Sequence, residues 1–187
     1  MMHPYDSQLY NSLVPAESAE ARWDKEWSAE RTKLDIGAGM APLPGYTSVD
    51  PYEKADISAP AHAVPLPDAS VEAIHCCYMM QSYTRKTAIL AFREFYRLLT
   101  PEGEATVIVP DGVAAMKSWL AAADRNGRVM DLLYGSPEHS HHATGMAWDK
   151  LLLSAHFKAA GFKAVEVRED IWPPHYNDPV LIGRGIK

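Results

Sequence analysis

Apolar and polar residues follow two periods along this chain, and the period predicts each element. Residues 34–37 are a short apolar run ending in glycine and read as a buried strand. Residues 46–50 read as a second strand, and residues 56–57 begin a third, very short one. Residues 71–77 and 104–109 follow, the latter around Val107-Ile108-Val109. Residues 163–168 alternate as a strand does, and 180–186 close the set. Between these, residues 84–99 carry Ala88, Ile89, Phe92, Phe95, Tyr96 and Leu99 at helical spacing, and Thr100-Pro101-Glu102-Gly103 stops the helix. Residues 112–125 and 146–160 read as further helices. Residues 126–145 read as a long connection that holds His139, His141 and His142. Trp172-Pro173-Pro174-His175 reads as a rigid turn between the last two strands. Ahead of the first strand, residues 16–31 read as a helix with Trp23 and Trp27 on one face.

Strands alternating with helices predict an α/β fold, a doubly wound sheet covered on both faces. The helix-free final connection makes the last strand antiparallel, in a seven-stranded mixed sheet of order 3-2-1-4-5-7-6. No repeat or linker interrupts residues 1–187, so one domain is expected, with residues 1–31 packing on or capping its ligand site. The 187 residues carry a net charge of −6. That balance argues against a nucleic-acid partner, which needs clustered Lys and Arg. No apolar stretch reaches membrane-spanning length, and no basic patch followed by an apolar run opens the chain. Cys76 and Cys77 are adjacent, so on a strand they point to opposite faces and do not pair. No metal is expected, and the cytoplasm is the expected compartment.

Candidate chemistry lies in Leu34-Asp35-Ile36-Gly37-Ala38-Gly39 and in Gly45-Tyr46-Thr47-Ser48-Val49-Asp50. Glycines after a first strand let a ligand approach the backbone closely. An acidic residue ending the second strand can accept hydrogen bonds from ribose hydroxyls. Only nine residues, 37–45, separate Ile36 from Tyr46, whereas a helical crossover takes at least about 10–12. A dinucleotide cofactor uses that helix's N-terminus for its pyrophosphate. S-adenosylmethionine has an adenosine but no phosphate, so the short crossover favours it.

Residues 33 to about 111 resemble class I methyltransferases, and most closely their small type 11 group. The resemblance rests on the motif above, then Pro44-Gly45-Tyr46, Val49-Asp50, Ala55-Asp56-Ile57 and Pro65-Leu66-Pro67-Asp68-Ala69-Ser70-Val71. It continues through Phe92-Arg93-Glu94, Arg97-Leu98-Leu99, Pro101-Glu102-Gly103 and Val109-Pro110-Asp111, and in outline to Ala160-Gly161-Phe162. It implies a Rossmann-like fold and an S-adenosyl-L-methionine-dependent transferase releasing S-adenosyl-L-homocysteine. The cofactor residues it implies are Asp35, Gly37, Ala38, Gly39, Asp50, Pro51, Ala59, Pro60, Ala61, Cys77 and Tyr78. There are departures. Ala59-Pro60-Ala61 stands where the group often has histidine-aspartate-leucine, so Pro60 offers no carboxylate to adenine. Met80-Gln81-Ser82 stands where it often has leucine-glutamate-histidine.

Methyl transfer is an in-line displacement in which orientation supplies much of the rate, and a base is needed only where the acceptor loses a proton. His142, in the loop beyond the fifth strand, is the candidate base. Asp111, ending that strand, is a candidate for orienting the acceptor or for capping the next helix. Tyr78, Met79 and Tyr83 suit an apolar wall. The expected acceptor is a small molecule or a saccharide. The alternative from another class is a non-catalytic S-adenosylmethionine-binding protein. A chain this short has a shallow acceptor pocket or completes it with a second subunit, as a homodimer would.

Overall fold

A computed structural model describes residues 33–121, 128–135, 144–172 and 178–187. Strand β1 (Lys33–Ile36) lies between β2 (Thr47–Val49) and β3 (Val71–Cys77), parallel to both. Strand β4 (Leu99–Pro110) is parallel to β3. Strand β6 (Asp178–Ile186) is antiparallel to both β4 and β5 (Lys163–Trp172). The order is β2-β1-β3-β4-β6-β5, the expected order with one strand missing. Residues 56–57 make only a single parallel bridge, Val49 to Ile57. The Asp56 carboxylate accepts from Ser48 N and Oγ at 3.0 and 2.8 Å, and Asp56 N donates back to Ser48 Oγ. These side-chain bonds stand where a ladder would run. The described sheet therefore has six strands, not seven.

Four helices are described: α1 (Arg85–Leu98), α2 (Gly112–Leu120), α3 (Arg128–Tyr134) and α4 (Lys150–Ala160). Thr84 and Thr87 form a capping box that starts α1. Asp149 starts α4 four residues later than expected, its Oδ1 accepting from Leu152 N at 2.7 Å. Helix α3 corrects the reading of 126–145 as an unbroken connection. Val129 and Leu132 bury beside Ala115 of α2, and that burial holds a helix too short to persist alone. The expected helix at 16–31 with Trp23 and Trp27, the loop carrying His139, His141 and His142, and the turn at Pro173–His175 lie outside the described residues.

Helices α1 and α4 share one core with the sheet. The Phe92 ring lies 4.8 Å from that of Phe157 and near Trp148 and His156. Gly183 and Gly185 of β6 let α4 press on bare backbone; a Cβ there would sit 2.7 or 2.6 Å from the Phe157 ring. Strand alternation sends Leu34, Ile74 and Val107 into this core and turns Asp35, His75 and Thr106 to the other face. No helix among the described residues is long and apolar enough to cross a membrane.

Candidate functional site

Strands β1, β2 and β3 run parallel, so their carboxyl ends meet at one sheet edge, where this class of fold binds ligands. A cleft of about 140 Å³ opens there. Its first wall is the glycine turn after β1. Gly37 N donates to Val49 O at 2.8 Å, and its φ of +74° suits glycine. A Cβ at Gly37 would overlap the Met79 side chain, so the turn and the segment after β3 lie in direct contact.

Asp50 organises the second wall. It is buried, and its carboxylate accepts three main-chain N–H bonds: Gly39 N on Oδ2 at 3.1 Å, and Tyr52 N and Glu53 N on Oδ1 at 2.8 and 3.0 Å. One carboxylate thus ties the glycine turn to the segment after β2. An ionised carboxylate has about four acceptor positions, so capacity for a ligand hydroxyl remains. Pro51, Tyr52 and Glu53 line the cleft beside it. Ala59 and Ala61 form the third wall, and Tyr78, Met79, Ser82 and Tyr83 the fourth.

The third wall hangs on α1. Glu94 Oε1 accepts from Val64 N at 2.9 Å, and Arg97 binds both Glu94 oxygens at 2.8 Å. The same guanidinium reaches Leu66 O, Val64 O and Asp68 Oδ1. Bonding to Glu94 holds its pKa above the ordinary arginine value. His62, beside Ala61, has its pKa lowered by burial, with Glu94 opposing, and its ring meets Tyr83 edge-on at 6.1 Å.

The structure therefore brings Gly37, Gly39, Asp50, Pro51, Ala59, Ala61 and Tyr78 of the expected residues to one cleft. Asp35 does not line it. It is buried on the far side of the turn, with Oδ2 accepting from Leu43 N and Oδ1 meeting His75 Nδ1, both at 2.8 Å. Ala38 and Pro60 also lie off the lining; Ala38 N faces Val49 O, and Pro60 O receives Ala63 N. Cys77 packs toward Ile108 and Ile182, and burial pushes its thiol up to about 12. Asp111 caps α2, its Oδ1 accepting from Val113 N and Ala114 N at 2.9 and 3.0 Å, and does not line the cleft. Tyr52, Glu53 and Ser82 were missed as site residues. The first two sit on the donors that Asp50 captures, and aspartate favours such bonds two and three residues on.

Since Arg97 anchors the third wall through charged hydrogen bonds, each typically worth about 1.5–3 kcal/mol, Arg97→Met should lower stability by roughly 2–3 kcal/mol. Denaturant unfolding measures this. An unchanged midpoint and slope would show that the anchor is dispensable.

Residues 18–107, nearly half of the chain, match the family described as a methyltransferase domain. A comparison with curated proteins gives no match. Among solved structures, a SAM-dependent methyltransferase from Archaeoglobus fulgidus has a TM-score of 0.62 at 12% identity, covering 96% of this chain and 99% of that one. One from Thermotoga maritima has a TM-score of 0.59 at 18% identity, covering 92% and 89%. The Burkholderia thailandensis 1,6-didemethyltoxoflavin-N1-methyltransferase, solved with that acceptor and S-adenosylhomocysteine, has a TM-score of 0.57 at 14% identity, covering 96% and 80%. The chain thus matches a methyltransferase-domain family over residues 18–107 and shares the fold of S-adenosylmethionine-dependent methyltransferases.

Proposed function

We propose that this chain is an S-adenosylmethionine-dependent methyltransferase acting on a small-molecule or saccharide acceptor, with the cofactor held in the cleft between Gly37, Asp50 and Ala61. The observation that carries this reading is the placement of Asp50, buried at the end of β2 with acceptor capacity left and facing the glycine turn. Bound S-adenosylmethionine supplies an electrophilic methyl group on a sulfonium. In this reading Asp50 accepts from the ribose hydroxyls, Gly37 and Gly39 admit the amino-acid end, and the Ala59 and Ala61 main chain borders the adenine. No cationic side chain lines the cleft among the described residues, which suits a cationic ligand. Loss of a hydrogen bond to a charged acceptor costs about 1.5–3 kcal/mol, so Asp50→Ala should weaken S-adenosylhomocysteine binding roughly ten- to a hundredfold. Calorimetry on the folded variant tests this, and unchanged affinity would refute the placement.

His142 is the proposed base where the acceptor must lose a proton. Support comes from the residues that follow its segment. Gly145 N and Met146 N donate to Gln81 O at 2.8 and 3.2 Å, and a Cβ at Gly145 would lie 2.7 Å from Tyr83 O. The chain thus re-enters the described fold against the fourth wall. Removing a general base costs about 10²–10⁴-fold in rate. His142→Ala should lose turnover on that scale in an acceptor panel while keeping its affinity for S-adenosylhomocysteine; full activity would return this histidine to a structural role.

The proposed homodimer rests on α2 and α3. Val113, Met116 and Leu120 face outward while Gly112 and Ala115 face the core, and Trp119, Met130 and Tyr134 extend the exposed patch. A stable dimer buries roughly 800 Å² per partner, and apolar patches of several hundred Å² mark such contacts. Light scattering should show a dimer in the wild type and a monomer in Trp119→Glu. A monomeric wild type at micromolar concentration would overturn it. The single-domain reading of 1–187, residues 1–31 as a cap and a cytoplasmic setting are proposed on the sequence alone.

A further inference from the structure

The fourth wall is built on a strained turn. Tyr78 leaves β3 with φ +52°, a left-handed conformation that a tyrosine rarely adopts. This turn aims Tyr78 and Met79 into the cleft and seats Met79 against Gly37. It is followed by a single 3-10 turn at Met80–Ser82, whose N-cap has no side-chain bond. Something must hold the strained residue in place.

One side chain is placed to do so. Gln81 Nε2 donates to Tyr78 O at 2.6 Å. The amide orientation is forced, because a carbonyl oxygen only accepts. Gln81 Oε1 is then left buried without a hydrogen-bond partner, so the amide is set for its N–H. The main-chain oxygen of the same residue receives Gly145 N and Met146 N. Gln81 therefore joins the cofactor wall to the chain entering α4.

We propose that Gln81 is a positioning residue for the cofactor cleft, its amide donor locking the Tyr78 turn that shapes the fourth wall. Gln81 does not line the cleft and acts through Tyr78 and Met79. A glutamate at this position would present an ionised acceptor to the Tyr78 carbonyl, and only its protonated form could donate. The turn thus uses an amide donor that an ionised carboxylate lacks. The proposal rests on the assignment of the cleft to S-adenosylmethionine.

The test uses the full chain, S-adenosylhomocysteine as probe, and pH as the variable. Wild type, Gln81→Glu and Gln81→Met are titrated calorimetrically between pH 5.5 and 8.5. Glutamate facing a carbonyl oxygen has its pKa raised above the ordinary value, since only the neutral acid can bond. Gln81→Glu should approach wild-type affinity at pH 5.5 and fall about tenfold below it at pH 8.5, the loss of one such hydrogen bond. Gln81→Met, of similar length but without a donor, should bind about tenfold more weakly at both ends. Each variant is compared with wild type at the same pH, because His62 in the adjoining wall, Asp50 and Glu53 in the cleft, Asp178 on the Tyr78 hydroxyl, and the Tyr52, Tyr78 and Tyr83 hydroxyls are present in all three proteins. A purely structural defect would not recover on acidification. Gln81→Glu matching wild type throughout, or Gln81→Met binding as wild type does, overturns the proposal. If Gln81→Glu does not fold, Gln81→Met decides alone. If wild type does not bind the probe, the cofactor assignment fails, and thermal unfolding decides the role of Gln81. A raised folded-state pKa stabilises at low pH and is lost as pH rises, so the melting deficit of Gln81→Glu relative to wild type should widen from pH 5.5 to 8.5. A constant deficit overturns the turn-locking role.

Discussion

The carboxylates of Asp35 and Asp50 do here what a helix does in longer crossovers. The connection from β1 to β2 has no room for a helix to gather its backbone donors and set its shape. Asp35 holds the loop from beneath at Leu43 N, and Asp50 holds it from the cleft side at Gly39 N. Between these two points the glycine turn is fixed, and the cleft takes its form from it. Both carboxylates are buried, and both are satisfied by main-chain donors, so burial strengthens bonds that would be weak in water. His75 on the neighbouring strand completes Asp35.

The other walls follow the same logic of loops held by side chains. The segment bearing Ala59 and Ala61 has no regular structure of its own beyond the Ile57 bridge. Glu94 and Arg97, one turn apart on α1, collect its carbonyls and one amide. The segment after β3 is held by Gln81. Each anchor stands on or beside a regular element, and each held loop lies at the carboxyl edge of the sheet. Rigid elements carrying irregular, ligand-facing loops are the usual division of labour in such folds.

Much of the fold was legible because its elements are strongly periodic. Ala88, Phe92 and Phe95 on one side of α1 and the apolar run of β4 left little choice, and the short Pro-Pro connection expected before the last strand pointed to its antiparallel direction. What was not legible depended on contacts distant in sequence. Helix α3 forms because Val129 and Leu132 meet Ala115. The third expected strand is lost to the Ser48–Asp56 exchange, in which local side-chain bonds compete with the ladder. Within the site, Gly37, Gly39 and Asp50 could be named from their places at strand ends. Asp35 could not be separated from them by motif alone, because its direction depends on strand alternation and on His75 across the sheet. Of the two senses in which Asp111 was read, the capping one is seen in its bonds to Val113 N and Ala114 N.

The central claim is that one carboxylate both builds the cleft and meets the ligand in it. A crystal structure of the wild-type chain grown with S-adenosylhomocysteine addresses this directly. The account predicts ribose hydroxyls within hydrogen-bond distance of Asp50 while Gly39 N remains on the same carboxylate, and Asp35 still bound to Leu43 N and His75 on the far side. Ribose density away from Asp50, or an Asp35 turned into the cleft to take the ligand, would contradict it.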